Sequence, residues 1–325
     1  MPVRLYALIL LTSCFGLGHN PTHNHLHADK PDHLHAEKPD ETILNVTLQH
    51  QVPNTQQANH TRGANYEITT ENETWKASQT AIIVCDMWDS HHCYRAVKRQ
   101  EQMVPRMEML LTHLRSQGVT VIHAPSSCVS AYANNPARLR VASIPESSIP
   151  EGINQWCHSI PSEEQATYPL DQSDGGEDDT PEEHDAWAAA LKTKGLNPRS
   201  PWKKQHPGLT IDPAKDFISD RGDEVWRILK HKELKNAILL GVHTNMCVLG
   251  RPFGLRQLSK NGVNVVLVRD LTDSMYNPKS WPHVSHLEGN ALIISHIERH
   301  ICPTLTSDQF VGGKPFRFTP ITATR

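Results

Sequence analysis

The sequence predicts an α/β fold in which a parallel sheet is doubly wound, with helices on both faces. Three apolar runs carry this prediction: Thr80–Cys85, Ala237–Leu240 and Val263–Val268. None alternates between apolar and polar residues, and such continuous runs are typical of strands covered on both faces. A helical segment separates the last two runs, so residues 237–273 form one parallel βαβ unit around which the rest of the chain is organised.

Length and composition describe a domain with extensions. The chain has 325 residues, enough for one sizeable α/β domain with extensions or for two small domains. A net charge of −3 shows no overall basic bias, so we expect no nucleic-acid partner. Hydrophobic residues make up only 38% of the chain and it has 23 prolines, so part of it lies outside any core.

Residues 1–18 have the features of a secretory signal. Arg4 precedes an apolar run, Leu5–Leu11, that is too short to span a bilayer. The sequence Leu-Thr-Ser-Cys resembles a lipobox, which would attach lipid at Cys14, and Gly16–Gly18 is an alternative cleavage site. We therefore expect export, with the mature protein periplasmic, secreted or lipid-anchored to the membrane.

Residues 19–74 are predicted to be a disordered, histidine-rich linker. Two nearly identical octads, HLHADKPD and HLHAEKPD, occupy His25–Asp32 and His33–Asp40 and show no apolar periodicity. Imidazoles at this spacing are able to gather a divalent metal. Two histidines per octad do not fix a coordination geometry, however, so a solvated spacer is the favoured interpretation.

The folded domain is predicted at 75–303. Its first strand ends at Asp86 and is followed by a helix over Val104–Gln117, whose apolar residues recur at helical spacing. Gly118 stops this helix, and the second strand covers Val119–Ala124. This order is typical of the start of a doubly wound domain.

Residues 125–200 form an insert in which the α/β pattern breaks down. Its segment Asp171–Asp185 is acidic and contains two glycines. The spacing of its carboxylates is not that of an EF-hand, so a solvated loop is favoured over a Ca²⁺ site. A lid over the active site is the functional alternative, because long loops in compact domains are often functional.

The second half of the chain completes the predicted fold. A short strand is expected within Trp202–Ile211, and a helix over Gly222–His231 with Asp220 as its N-cap. A final amphipathic helix covers Ile293–Ile301, and residues 304–325 form a tail that wraps the domain or an oligomer partner.

Polar residues with catalytic chemistry follow the predicted strands. Asp86 ends the first strand, and Cys247 lies in the turn that leaves the first strand of the βαβ unit, where ligands of α/β sheets bind. A lysine, Lys203 or Lys204, lies near the third strand. A carboxylate is able to take a thiol proton and a nearby lysine favours the thiolate. The structural alternative is that Cys247 packs as a small apolar residue.

The motifs IIVCDMWDSHH, GVHTNMCVLG and VVLVRDLTDSM together resemble the isochorismatase-like cysteine hydrolase superfamily, which includes nicotinamidases and N-carbamoylsarcosine amidases. The resemblance covers about Trp75–Pro303. It implies a three-layer αβα fold with a six-stranded, mostly parallel sheet, and a homo-oligomer. It also implies a catalytic triad of Asp86, Lys204 and Cys247, with Lys203 as the alternative lysine.

The resemblance further implies a non-proline cis peptide at Val242–His243 and an oxyanion hole made by the backbone N–H groups of His243 and Cys247. Residues of the loop after the first strand and of the cysteine turn are expected to bind substrate: Trp88, His91, His92 and Asn245. The zinc-binding Asp-x-His of nicotinamidases has no match, because the second strand leads into HAPSSC. We therefore expect no metal at the active site.

The sequence thus predicts an exported hydrolase that cleaves an amide-like C–N bond of a small molecule through a cysteine thioester, without a required cofactor. The alternative is a catalytically silent binding protein of the same fold, whose histidine-rich arm gathers metal. A redox thiol protein is disfavoured, because no resolving cysteine lies two residues from Cys247.

Overall fold

The sheet at the centre of the protein has eight strands. The computed structural model describes residues 41–54 and 66–321. In chain order the strands are β1 (Ile43–Pro53), β2 (Tyr66–Lys76), β3 (Thr80–Cys85), β4 (Thr120–Ala124), β5 (Phe217–Ile218), β6 (Asn236–Val242), β7 (Asn264–Asp273) and β8 (Thr304–Leu305). Their spatial order is β2-β1-β8-β7-β6-β3-β4-β5. The six strands from β8 to β5 are all parallel, as predicted, and the two remaining strands join antiparallel.

Helices cover both faces of this sheet, so the fold is the predicted three-layer αβα arrangement. They are α1 (Tyr94–Ser116), α2 (Pro136–Ala142), α3 (Pro181–Thr193), α4 (Gly222–His231), α5 (Leu255–Lys260), α6 (His286–His300) and α7 (Asp308–Val311). Ile82 and Ile238 pack with α1 on one face, whereas Ile83 and Leu239 pack with α4, α5 and α6 on the other. This alternation explains why every residue of β3 and β6 is buried. None of the described helices is both long and apolar enough to cross a membrane.

The segment predicted as a disordered linker contains two strands. Strands β1 and β2 pair over their whole length, and Gln49 of β1 pairs with Thr304 of β8. Leu44, Val46 and Leu48 are buried, while the residues between them are exposed. This alternation is a strand signal, and the low apolar content of the neighbouring histidine-rich tract concealed it. Residues 19–40, with the histidine octads, and 55–65 lie outside the described residues.

The acidic segment Asp171–Asp185 is not a solvated loop. Asp178 is buried and accepts two hydrogen bonds from the Arg99 guanidinium, which also donates to Asp273 at the end of β7. Asp179 accepts the backbone N–H groups at the start of α1, and this cap extends the helix upstream of its predicted start at Val104. Pairs so distant in sequence leave no local pattern, so the prediction missed them.

The region Trp202–Ile211 differs from the prediction as well. It makes a single bridge, between Gln205 and Trp88, instead of a strand, and β5 follows it at Phe217–Ile218. Asp220 does not cap α4, because its carboxylate accepts the backbone N–H of Ser127 at 2.9 Å. In the C-terminal tail, β8 joins the sheet, and Phe316 and Phe318 pack against the core on the α1 face.

Candidate active site

A tight turn at the end of β6 presents Cys247. The Val242–His243 peptide is cis, at the position where the resemblance places it, and residues Thr244–Val248 form one π-helical turn. Gly241 has a φ of 116°, and a Cβ at this position would overlap the carbonyl oxygen of Cys85 on β3. Only glycine satisfies both conditions, so β6 packs directly against β3 and Cys247 comes to the edge where β3 ends.

Asp86 faces this turn from the end of β3. Its side chain is completely buried, and its backbone has the left-handed φ of 48°. One carboxylate oxygen accepts the backbone N–H of Ser126 at 2.8 Å, and the other accepts the Nε–H of Arg251 at 3.0 Å. The carboxylate also interacts directly with the Cys247 thiol. A carboxylate, a thiol and a guanidinium therefore meet at the carboxyl ends of two adjacent parallel strands.

Arg251 was not predicted as a site residue. It lies one helical turn after Cys247, and its backbone N–H donates to the Cys247 carbonyl at 3.0 Å. This i,i+4 spacing is the available sequence signal, because it places both side chains on one face. The guanidinium stacks over the ring of Trp156, at 5.4 Å from the ring centroid. Pro252 follows and separates the cysteine turn from α5, which begins at Leu255.

The two lysines expected in the triad do not reach this cluster. Lys203 and Lys204 are both exposed, and neither side chain makes a hydrogen bond or ion pair with Asp86 in the described part of the chain. Their backbone N–H groups instead donate to Asp89. The segment is an irregular loop rather than a strand, so the alternation that was expected to point one lysine inward is absent. The cation beside Asp86 is Arg251.

Burial dominates the electrostatics of the cluster. Burial raises the pKa of the Cys247 thiol well above its usual value, and the negative charge of Asp86 raises it further. The Arg251 guanidinium and, to a smaller extent, the backbone N–H of His243 lower this pKa in part. Burial likewise raises the pKa of Asp86, against the opposing effect of Arg251. The proton therefore resides on the thiol at neutral pH, next to a carboxylate of increased basicity.

Aromatic rings form a wall beside the cysteine turn. The ring of Trp88 stacks on Trp202 at 5.0 Å and on His91 at 6.0 Å, and His91 contacts the edge of His243 at 4.8 Å. Burial lowers the pKa of His243 to about 3 and that of His91 well below its usual value. Both imidazoles are therefore neutral, and the wall is uncharged. Trp88 and His91, two of the predicted substrate residues, thus reach the site.

The other two predicted substrate residues have different surroundings. The Asn245 side chain exchanges two hydrogen bonds with the backbone of Met275, at 2.7 and 2.9 Å, and so holds the loop after β7. His92 contacts His91 but lies near the carboxylates of the acidic insert, Glu177 and Asp179. Within the described residues, neither side chain makes a hydrogen bond with Asp86 or Cys247.

A cavity of about 360 Å³ adjoins the turn. Asn245 and Met246 line it, but Cys247 does not, so it adjoins the cysteine turn without containing the thiol. Further into the cavity, the buried Glu163 carboxylate accepts two hydrogen bonds from Arg256 and one from His296. The cavity's remaining lining residues are Trp156, His158, Ser159, Ala166, Tyr168 and Gln172.

The fold is an α/β domain that brings a buried thiol, a carboxylate and a guanidinium together at one edge of its parallel strands. The model of the Isochorismatase domain family matches residues 80–288 of this chain. Because this match spans more than half of the sequence, the chain belongs to the isochorismatase family of hydrolases. A comparison with curated proteins finds no match.

Several solved structures are similar to this chain. A cysteine hydrolase from Pseudomonas syringae pv. phaseolicola 1448A has 17% identity and a TM-score of 0.43, over 72% of this chain and 92% of that one. An isochorismatase from Pseudomonas putida KT2440 has 11% identity and a TM-score of 0.43, over 73% and 92%. The nicotinamidase of Bacillus subtilis has 13% identity and a TM-score of 0.32, over 68% and 94%.

Proposed function

We propose that this protein hydrolyses an amide-like C–N bond of a small molecule, with Cys247 as nucleophile, Asp86 as proton acceptor and Arg251 as the cation that supports both. The observation that carries this proposal is the cluster of these three side chains at the carboxyl ends of β3 and β6. Arg251 takes the place that the resemblance gives to a lysine.

The first step transfers the thiol proton of Cys247 to Asp86 as the sulfur attacks the amide carbon. The raised pKa of Asp86 suits it to this role, because a general base is most effective when its pKa approaches the operating pH. The negative charge moves from carboxylate to sulfur, and Arg251 interacts favourably with both. Asp86 then gives the proton to the leaving nitrogen, and a thioester remains on Cys247.

The tetrahedral intermediate needs donors for its oxyanion. The backbone N–H groups of His243 and Cys247 flank and belong to the turn that presents the thiol, which supports them as these donors. Backbone donors held by a rigid turn stabilise developing charge without reorganising. Water then attacks the thioester, releasing a carboxylic acid and returning the proton to the thiol.

The wall formed by Trp88, His91 and Trp202 favours a small, planar, uncharged group as the part of the substrate nearest the thiol. The stacked rings of Trp88 and Trp202 offer apolar faces, and the imidazole of His91 is neutral. An amide or ureido group fits this description.

Turnover tests the proposal. The full chain is incubated with a panel of small amides, ureido acids and carbamoyl compounds, and release of ammonia or amine is measured. Cys247→Ala should reduce kcat/KM on any active compound by at least about a thousandfold. Cys302→Ala is the matched control, because Cys302 is also buried and free but lies beyond α6. Its activity should match that of the unaltered protein.

A catalytically silent binding protein is the second candidate. The observation that favours it is the raised thiol pKa of Cys247, which leaves little thiolate at neutral pH. Such a protein would bind members of the panel in calorimetry without releasing amine from any of them. Amine release that survives Cys247→Ala would exclude the thioester mechanism.

Export, oligomerisation and metal binding by the histidine-rich arm also remain proposals. Residues 1–18 carry the signal pattern, and lipid at Cys14 would fix the mature N-terminus there. The mass of the mature chain tests export. Cleavage before Cys14 with acyl addition and cleavage after Gly18 give different masses.

A further inference from the structure

The acidic insert meets the start of α1 at a group of side chains with metal-binding chemistry. One ligand atom each from Cys93, Glu177 and Asp179 lies within 4.8 Å of the others. The Cys93 sulfur is 3.3 Å from an Asp179 oxygen, and Cys93 is completely buried. The catalytic cluster proposed above uses none of these residues.

The ligand atoms are held in place by the rest of the fold. Asp179 accepts the backbone N–H groups of Tyr94 and Arg95, at 2.7 and 2.8 Å. Glu177 accepts a hydrogen bond from His184 at 2.5 Å. Each carboxylate oxygen has two lone-pair sites, so these contacts leave acceptor positions for a metal. The carboxylates are therefore oriented before any metal binds.

A nitrogen ligand is available beside them. The Nδ1 atom of His92 is buried and has no hydrogen-bond partner among the described residues. His92 immediately precedes Cys93 in the chain, so its ring lies next to the cluster. A buried polar atom without a partner is costly, and a metal bond would satisfy it.

We propose that Cys93, Glu177 and Asp179 bind a divalent cation of the zinc class, and that the His92 imidazole, which lies outside this 4.8 Å group, turns in as the fourth ligand. Four ligands of the thiolate, imidazole and carboxylate types are the set that zinc takes in closed tetrahedral sites. The thiol disfavours Ca²⁺ and Mg²⁺, which take oxygen ligands. Binding releases the Cys93 thiol proton to solvent and forms the sulfur–metal bond. The metal joins the acidic insert to the loop that carries His91, and so fixes the aromatic wall.

Cobalt tests this site directly, because Co²⁺ substitutes for zinc and its bond to a thiolate gives a charge-transfer absorption band. The full chain, free of metal, is titrated with Co²⁺ and then with Zn²⁺. We expect the band to appear with Co²⁺ and to vanish as Zn²⁺ displaces it. The histidine-rich arm cannot produce this band, because its ligands are imidazoles.

Variants identify the ligands. Cys93→Ser should abolish the band, whereas Cys302→Ser should retain it. His92→Ala leaves the cap of α1 intact and should weaken Co²⁺ binding by at least about tenfold. Circular dichroism checks that each variant is folded. No band in the unaltered chain, or a band that survives Cys93→Ser, would overturn the site, and unchanged affinity in His92→Ala would remove His92 from it.

Discussion

The Nε–H of Arg251 donates to the buried carboxylate of Asp86 at 3.0 Å, and this pair brings a positive charge to within reach of the Cys247 thiol. Asp86 is completely buried, whereas about a quarter of the Arg251 side chain is exposed, at 24%. The arginine therefore closes the site on the solvent side and compensates a charge that would be costly alone.

The first prediction concerns which cation supports catalysis. Arg251→Met should reduce kcat/KM by at least about a hundredfold, because it removes the charge that stabilises the thiolate. Lys203→Met and Lys204→Met should each remain within about twofold of the unaltered protein, because both side chains are exposed and unpaired with Asp86. Steady-state kinetics on the compound found active measures all three.

If Arg251→Met kept its activity and Lys203→Met or Lys204→Met lost it, that lysine would be the catalytic cation. Arg251→Lys is the matched control, because it keeps the charge and loses only the planar fork of donors. It should retain more activity than Arg251→Met, and its melting temperature shows whether a loss reflects unfolding.

The pH dependence of turnover follows from Asp86. The carboxylate must be ionised to accept the thiol proton, and burial raises its pKa, so activity is present above that raised pKa and is lost as the pH falls through it. The positive charge of Arg251 opposes this rise in the pKa of Asp86. The acid limb of the kcat/KM profile should therefore move to higher pH in Arg251→Met, and less in Arg251→Lys. An acid limb at the ordinary carboxyl pKa of about 3.9 would contradict the assignment.

The central strands were predictable because burial on both faces leaves continuous apolar runs. Thr80–Cys85 and Ala237–Leu240 show this in sequence, and they place Asp86 and Cys247 at one sheet edge. The strand Ile43–Pro53 also carried a local signal, the alternation of Leu44, Val46 and Leu48. This alternation was overlooked because the whole segment was judged by its average composition, which the histidine-rich tract dominates.

Other features depend on contacts that local patterns do not report. Asp178 docks the acidic insert by pairing with Arg99, a residue far away in sequence, so the insert resembled a solvated loop. Arg251 was not singled out, because the resemblance to the family directed attention to Lys203 and Lys204. The i,i+4 spacing places Arg251 on the face of Cys247, but the buried carboxylate that it pairs with comes from β3, which is distant in sequence.

Gly241 offers a test of that close approach. Gly241→Ala should lower the free energy of unfolding by at least about 3 kcal/mol, because the residue has a positive φ and its Cβ would overlap the backbone of Cys85. Gly262→Ala is the matched control: its φ is 76° but nothing lies within 4 Å, so strain alone should cost about 1 kcal/mol. Urea denaturation of both variants makes the comparison. Equal losses would show that β3 and β6 are not in contact at Gly241.

The buried pair of Glu163 and Arg256 predicts a pH-dependent stability. Burial raises the pKa of Glu163, but hydrogen bonds from His296 and Arg256 outweigh it and lower the pKa to about 2. Because this pKa is lower in the folded protein than in the unfolded chain, the ionised carboxyl stabilises the fold at pH values above its unfolded pKa. This stabilisation is lost as the pH falls through the folded pKa. Glu163→Gln should therefore cost about 2 kcal/mol at neutral pH, and progressively less between about pH 5 and pH 2. Glu164→Gln, at an exposed neighbour, should change little. A Glu163→Gln deficit that stays constant across this range in urea denaturation would show that packing, not charge, holds the insert.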